Sequence, residues 1–338
     1  MNIFITGAAG YVGGMLAELF LKDQRVKHVT ALDMRDASGK FPKNNSRFSW
    51  ITWNLGDAGW ENEVLRYGMP DIVIHCAYVI REGYGAKRAW QNKCNIDGAA
   101  RVFQFVFSQQ ISRLIHFSTV AGYGALATNT LDHFFVETDP FLESNYLYGV
   151  DKKKIEAMLL ESYKNFCVKK DNSFLPQIII FRPCAISGPR GQYMFRRFGL
   201  LQMTKNGLPV IPLTGPQSAR QFIHEDDVFD AVNFAVFNGI KGQYEIFNLA
   251  PAGFLLLKDM AKRIGKRVIR IPMLLGKICF ALLWYLSRGR VPTVPAGINS
   301  YTYPIIVDGS KLSRAGFNYQ HTPIEALDAK VGRYIQKS

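Results

Sequence analysis

The chain has 338 residues, 48% hydrophobic and 20% charged, an ordinary globular balance that allows two domains or one two-lobed unit. Its net charge of +14 suits an anionic membrane surface or a phosphorylated substrate, and no basic stripe interleaved with aromatics argues for nucleic acid. Five cysteines, odd in number and widely spaced, exclude a disulfide framework and a zinc site; a reducing cytoplasm fits them.

The N-terminus lacks a basic region followed by an apolar run and cleavage site, so no secretory signal is expected. An apolar run at 2–6, a glycine turn, and helical periodicity at Val12, Leu16, Leu19 and Phe20 predict strand, tight turn and helix. In that turn Gly7 permits the sharp bend, Gly10 lets backbone approach a pyrophosphate, and Gly13 lets helix and strand pack closely. The free amides at the helix start would then face phosphates. A second strand, HVTALD, ends in Asp33, where a carboxylate takes ribose hydroxyls and repels a 2′-phosphate. NAD is therefore favoured over NADP, with Arg35 nearby keeping the second open. The next strand leads to Asn54 and Leu55, where an adenine could lie. DIVIHCA is an apolar strand ending in the small Cys76 and Ala77, which suit a dinucleotide passing close by, although plain core packing explains its apolar part equally well.

Further on, Tyr148 and Lys152 are the one Tyr/Lys pair of the 143–159 segment four apart on a helix. Lys153 and Lys154 point elsewhere and read as solvated charge. An ammonium one turn away favours a phenolate, which would bring a phenol of ordinary pKa near 10 toward the working range of a base. Spacing alone also allows an accidental Tyr-x-x-x-Lys.

Taken together, TGAAGYVG, HCAY at 75–78, NIDGAARVF from Asn95, FSTVAGYG at 117–124, YGVDK at 148–152, RPCAISGPRG, RQFIHEDDV and DGSKLSRAGF resemble the extended short-chain dehydrogenase/reductase family, in its sugar-nucleotide epimerase and dehydratase group. The likeness runs over nearly the whole chain. It implies an α/β fold with a doubly wound, Rossmann-type parallel sheet: an NAD-binding domain over 1–182, revisited at about 221–250, and a substrate lobe from 183–220 and 251–338. It implies Tyr148 as the base and Lys152 as the holder of the nicotinamide ribose. Thr119, with Ser118 as alternative, would bond the reacting oxygen. Asn95 would support a proton relay or serve as a structural cap. Tyr11, Val12 and Pro183 would add cofactor contacts.

Departures narrow the branch. Val120 and Ala121 stand where dehydratases carry Asp-Glu, and Ala185 and Ser187 where epimerases commonly place Asn and Tyr. Arg220 matches an arginine that binds the nucleotide diphosphate; its alternative is a local ion pair with an acid such as Asp226. Asp226 and Asp227 are read as structural, and His75, His116 and His224 as satisfied core histidines. Residues 271–290 hold an apolar run among basic residues, too short to span a bilayer. The run is either a core-facing helix or a peripheral membrane contact, and similar helices occur in the 3β-hydroxysteroid dehydrogenase branch. A polar loop is expected at 168–177, and the Gly/Pro-rich stretches 187–191 and 208–217 mark the exit to the smaller substrate lobe. The leading expectation is an NAD-dependent epimerase of a nucleotide-activated sugar, working through a keto intermediate as a cytoplasmic homodimer. The alternatives are a dehydrogenase or reductase of a hydrophobic alcohol, and a cofactor-binding scaffold without turnover.

Overall fold

The computed structural model describes all residues except 43–44, 170–173, 192–209, 216–217, 238 and 336–338. The expected loop at 168–177 and the Gly/Pro-rich stretch 208–217 lie partly outside the described residues. Seven parallel strands form the central sheet: β1 (Asn2–Thr6), β2 (His28–Asp33), β3 (Phe48–Thr52), β4 (Ile72–His75), β5 (Arg113–Phe117), β6 (Gln177–Pro183) and, from the later chain, Tyr244–Leu249. Parallel pairing demands crossovers, and the helices that supply them cover both faces, so the strands read as continuous apolar runs. In β1 the pleat sends Ile3 and Ile5 into one core, beside Leu16 and Phe20 of α1 (Tyr11–Lys22). It sends Phe4 into the other core, against Trp60 of α2 (Trp60–Arg66) and Val102 of α3 (Ala86–Ser108).

Strand order places the site. From β1 the chain builds outward through β2 and β3, then crosses to β4 on the other side of β1. The crevice where order reverses, at the carboxyl ends of β1 and β4, is where open α/β sheets take ligands. α4 (Leu147–Lys169) packs beside α3 and sends Ile155 and Leu159 into the second core.

After β6 the chain forms short pairs outside the main sheet. β7 (Ala185–Ser187) pairs with β10 (Phe222–His224), β8 (Val210–Leu213) with β13 (Arg267–Arg270), and β9 (Ala219–Arg220) with β12 (Leu255–Leu256). A separate small core of Ile211, Phe222, Leu257 and Met260 holds them. Between them α5 (Glu225–Phe237) and β11 (Tyr244–Leu249) return to the large sheet, β11 beside β6. The later helices that matter below are α6 (Leu257–Arg263), α7 (Met273–Leu286) and α8 (Gly297–Thr302).

Two histidines match the core expectation and one departs from it. His75 Nδ1 shares a 2.7 Å hydrogen bond with Thr6 Oγ1. His224 uses both ring nitrogens, on Val331 O and Asp226 N. With those lone pairs and protons committed, the cluster His224, Asp226 and His321 has a structural explanation that needs no ion. His116 departs: it is fully buried, stacked 5.2 Å from His75, and neither ring nitrogen has a partner among the described residues. Burial holds it neutral, well below its ordinary pKa.

Candidate active site

The glycine turn between β1 and α1 leaves a cradle that side chains would fill. Gly7 sits at φ +74°, and a Cβ there would lie 2.6 Å from Ala77 N; one on Gly13 would lie 2.4 Å from Gly7 O. Gly10 caps α1 with no side-chain bond to its first amides, so those donors stay open to a pyrophosphate. Asp33, at the end of β2, accepts from Ala9 N at 3.0 Å and from Arg35 N at 3.0 Å, and Arg35 Nε lies 3.3 Å from it. Arg35 is thus drawn onto the carboxylate, and the acidic residue stays at the crevice. Val12, Asn54, Leu55, Cys76, Ala77 and Pro183 line the same cleft. Tyr11 lines it too, with its hydroxyl donated to Glu225. The donors, glycines and carboxylate fit a dinucleotide.

The reacting pair comes from two elements. Thr119 follows β5 and Tyr148 lies in the first turn of α4; both line the cleft, and the Thr119 hydroxyl favours the Tyr148 phenolate. Thr119 also accepts from Ala121 N at 3.2 Å, which fixes the turn after the strand. Burial raises the Tyr148 pKa, and the Thr119 hydroxyl offsets only part of that rise. Ser118 is outside this wall, because neighbouring residues of an extended strand point to opposite faces, and its buried hydroxyl has no partner among the described residues.

Lys152 lies beneath the wall. Its ammonium donates to Phe117 O at 2.5 Å and sits 4.5 Å from the centre of the Tyr78 ring. Burial lowers its pKa to about 8. The ammonium is thus engaged on Phe117 O and the Tyr78 face, one helical turn from Tyr148. Sequence reasoning passed over Tyr78. Its ring lies 5.2 Å from that of Tyr148 and its hydroxyl donates to Asp151 Oδ2 at 3.0 Å. The Asn95 side chain accepts from Val79 N at 2.8 Å and donates to Val79 O at 3.3 Å. It acts as a clamp on Val79, while Gln91 bonds Val79 O and Gly83 N.

Arg220 reaches the cleft from β9. No carboxylate pairs with it among the described residues; Asp226, the alternative partner, instead accepts from Arg333 N at 2.8 Å. Arg220 is surrounded by phenols, with Tyr301 of α8 at 5.6 Å from ring centre to guanidinium and Tyr146 interacting through charge. Tyr146, set aside on helical spacing, lies 6.2 Å from Tyr148 by ring centres and lines the cleft. The whole is one space of about 940 Å³, extending past Trp90, Phe280, Trp284 and Val294. Those apolar walls come from elements remote in sequence, and only the unusual apolar content of 271–290 hinted at them.

Comparison with known proteins agrees with this geometry. A family model described as the NAD dependent epimerase/dehydratase family matches residues 3–250. An N-acetyl-alpha-D-glucosaminyl-diphospho-ditrans,octacis-undecaprenol 4-epimerase of Escherichia coli O157:H7 is 21% identical, over 97% of this chain and 93% of its own. An Arabidopsis thaliana protein described as "Probable UDP-arabinose 4-epimerase 3" is 31% identical over 48% of this chain and 40% of its own. The crystal structure of a UDP-glucuronic acid 4-epimerase from Bacillus cereus, in complex with UDP-glucuronic acid and NAD, superposes with a TM-score of 0.70. It is 21% identical and covers 97% of both chains.

Proposed function

The chain belongs to the NAD dependent epimerase/dehydratase family, and from that premise we propose that it epimerises a sugar carried on a diphosphate, a nucleotide-activated sugar in the simplest case. NAD is the cofactor, and when bound it supplies a reversible acceptor for a hydride. The observation that carries the reading is a single cleft lined by Tyr148, Thr119 and Arg220, a guanidinium that no acid pairs with among the described residues. The substrates in the names of those two relatives share the sugar and the diphosphate and differ in what the diphosphate carries.

In this reading Tyr148 Oη takes the proton of a sugar hydroxyl, holds it while the carbon is a ketone, and returns it. Thr119 orients that oxygen through its hydroxyl. Lys152, held on Phe117 O, places a positive charge under the Tyr78 ring and beside the dinucleotide crevice. Asp33 holds the adenosine ribose and excludes a 2′-phosphate. Arg220 grips the diphosphate with its fork of donors. Asn95 fixes the segment carrying Val79, and the smaller lobe, 183–220 and 251–338, closes over the sugar. The protein works in the cytoplasm, as a dimer through α3 and α4, which gel filtration with light scattering would test.

The test is to denature the purified protein and quantify the nicotinamide released. Near-stoichiometric NAD supports an epimerase, which returns its own hydride and has no need to exchange cofactor. Empty protein that binds NAD weakly and reversibly supports the second reading, a dehydrogenase or reductase of a hydrophobic alcohol. The aromatic and apolar wall of Phe280, Trp284 and Val294 favours that alternative.

A further inference from the structure

An ordinary surface helix buries one apolar stripe and shows water a polar face. α7 does the first and not the second. Met273, Gly276, Phe280 and Trp284, at helical spacing, form the inward stripe, of which Gly276 and Trp284 are buried. At 100° per residue, Leu274, Ile278, Leu282 and Leu286 run along one ridge of the opposite half, with Leu275 and Leu283 beside them. All six are exposed, Leu286 by 81% and Leu274 by 70%. Lys277 is the one charged residue of the helix. A contiguous apolar face of this kind marks an interaction surface.

Charge selects the partner. Residues 260–307 hold eight lysines and arginines and not one acidic residue, more than half of the chain's net charge of +14. Arg267 and Arg270 before α7, Lys277 within it, and Arg288 and Arg290 after it are all exposed. A helix of 14 residues spans about 21 Å at 1.5 Å per residue, too short for a hydrocarbon core of about 30 Å. No helix among the described residues is long and apolar enough to cross a membrane. An apolar face ringed by cations and too short to span matches a helix lying in the headgroup region of an anionic bilayer.

The inner side of the same helix belongs to the cleft. From Tyr148 a string of rings runs outward: Tyr146 at 6.2 Å, then Arg220, then Tyr301 at 5.6 Å from its guanidinium, then Phe280 of α7 at 5.5 Å. Trp284 is packed by Tyr84 at 6.0 Å, and Arg81 ties the neighbouring segment to Gly289 O at 3.1 Å. Beyond the arginine, the described walls on this side include Phe280, Trp284, Pro292, Val294 and Tyr301, with Ser300 the polar side chain among them. They offer apolar surface where a nucleoside would need partners for its base and ribose.

We infer that the sugar reaches this cleft on a lipid diphosphate, and that α7 seats the enzyme on an anionic phospholipid bilayer to collect it. Arg220 takes the diphosphate, the sugar lies inward at Tyr148, and the lipid leaves along the inner stripe of α7 toward the membrane its outer face rests on. This rests on the epimerase reading and specifies its substrate class.

The purified full chain, with its cofactor, should sediment with vesicles of phosphatidylcholine and phosphatidylglycerol and far less with phosphatidylcholine alone. Leu282→Glu with Leu286→Glu should lower that partition by roughly a hundredfold, since two leucines leave the acyl boundary. The retained NAD content reports that the variant is folded. Equal indifference to both vesicles overturns the inference. So does a change of oligomeric state in the variant with no change on vesicles, which would make α7 a contact between copies. The carrier is tested by tryptophan quenching of the same protein with farnesyl diphosphate and with UDP. Farnesyl diphosphate should bind at least about tenfold more tightly, and the reverse order overturns the carrier assignment. Protein with stoichiometric NAD that ignores vesicles refutes this inference and leaves the epimerase reading standing. Protein that binds vesicles without firmly held NAD refutes the epimerase reading and the carrier assignment with it, and leaves only the membrane contact of α7 standing.

Discussion

Replacing Lys152 with methionine should remove a pH dependence of stability that the lysine imposes. Lys152 is 3% exposed, and burial lowers its pKa from 10.5 to about 8. At ~1.36 kcal/mol per pKa unit, that displacement costs the folded state about 3 kcal/mol whenever both states carry the charge. The sign follows from proton counting. Between about 8 and 10.5 the unfolded chain holds a proton that the folded protein has released, so unfolding free energy rises with pH through that window. The penalty is full below the folded value and gone above the unfolded one. Methionine fills the stem's space, but it strips Phe117 O of the donor at 2.5 Å and so returns about 1–3 kcal/mol. At neutral pH the variant should therefore be as stable as the natural protein or more stable by about 2 kcal/mol. Urea unfolding of both cofactor-free proteins across the window measures the decisive quantity. The natural protein's stability relative to the variant should grow by about 3 kcal/mol from low to high pH. A difference that stays constant would refute the idea that a buried cation is held there at a cost.

Tyr148→Phe should cut turnover by roughly 10²–10⁴-fold while leaving bound NAD unchanged, read by kinetics and cofactor release; a fully active variant would sink the mechanism. Arg220→Ala should raise KM for a diphosphate-linked sugar by about 10–100-fold with NAD content intact, whereas an unchanged KM would remove Arg220 from the site. Gly7→Ala forces a Cβ to 2.6 Å from Ala77 N at φ +74°, so equilibrium dialysis should show cofactor binding lost; near-normal binding would contradict the cradle. Arg182→Met strands the Glu156 carboxylate, now gripped at 2.6 Å and 9% exposed, and should cost about 3–5 kcal/mol in urea unfolding. A loss below about 1 kcal/mol would mean the pair is dispensable.

Local spacing by itself determined the parts of this protein whose chemistry lies within one or two elements. The glycines at 7, 10 and 13, the strand that ends in Asp33, and the helical offset of Tyr148 and Lys152 were all legible. Turn geometry and helical period are properties of neighbouring residues. The family likeness rests on the same short stretches. Tertiary structure decided everything that depends on what lies across a gap. Spacing put Lys152 one turn from Tyr148, but only packing showed the ammonium drawn to Phe117 O and the Tyr78 ring. Arg220 could have paired with Asp226, a near neighbour, yet folding brought Tyr146 and Tyr301 to it and gave Asp226 to Arg333. Ser118 and Thr119 are adjacent and chemically alike, and the strand pleat sends only Thr119 to the cleft. The 271–290 run shows the limit most plainly. Apolar periodicity reports that a helix has a surface to hide from water, but whether protein covers that surface depends on partners far away in sequence. Here the inner stripe met the cleft, and the outer face stayed uncovered among the described residues.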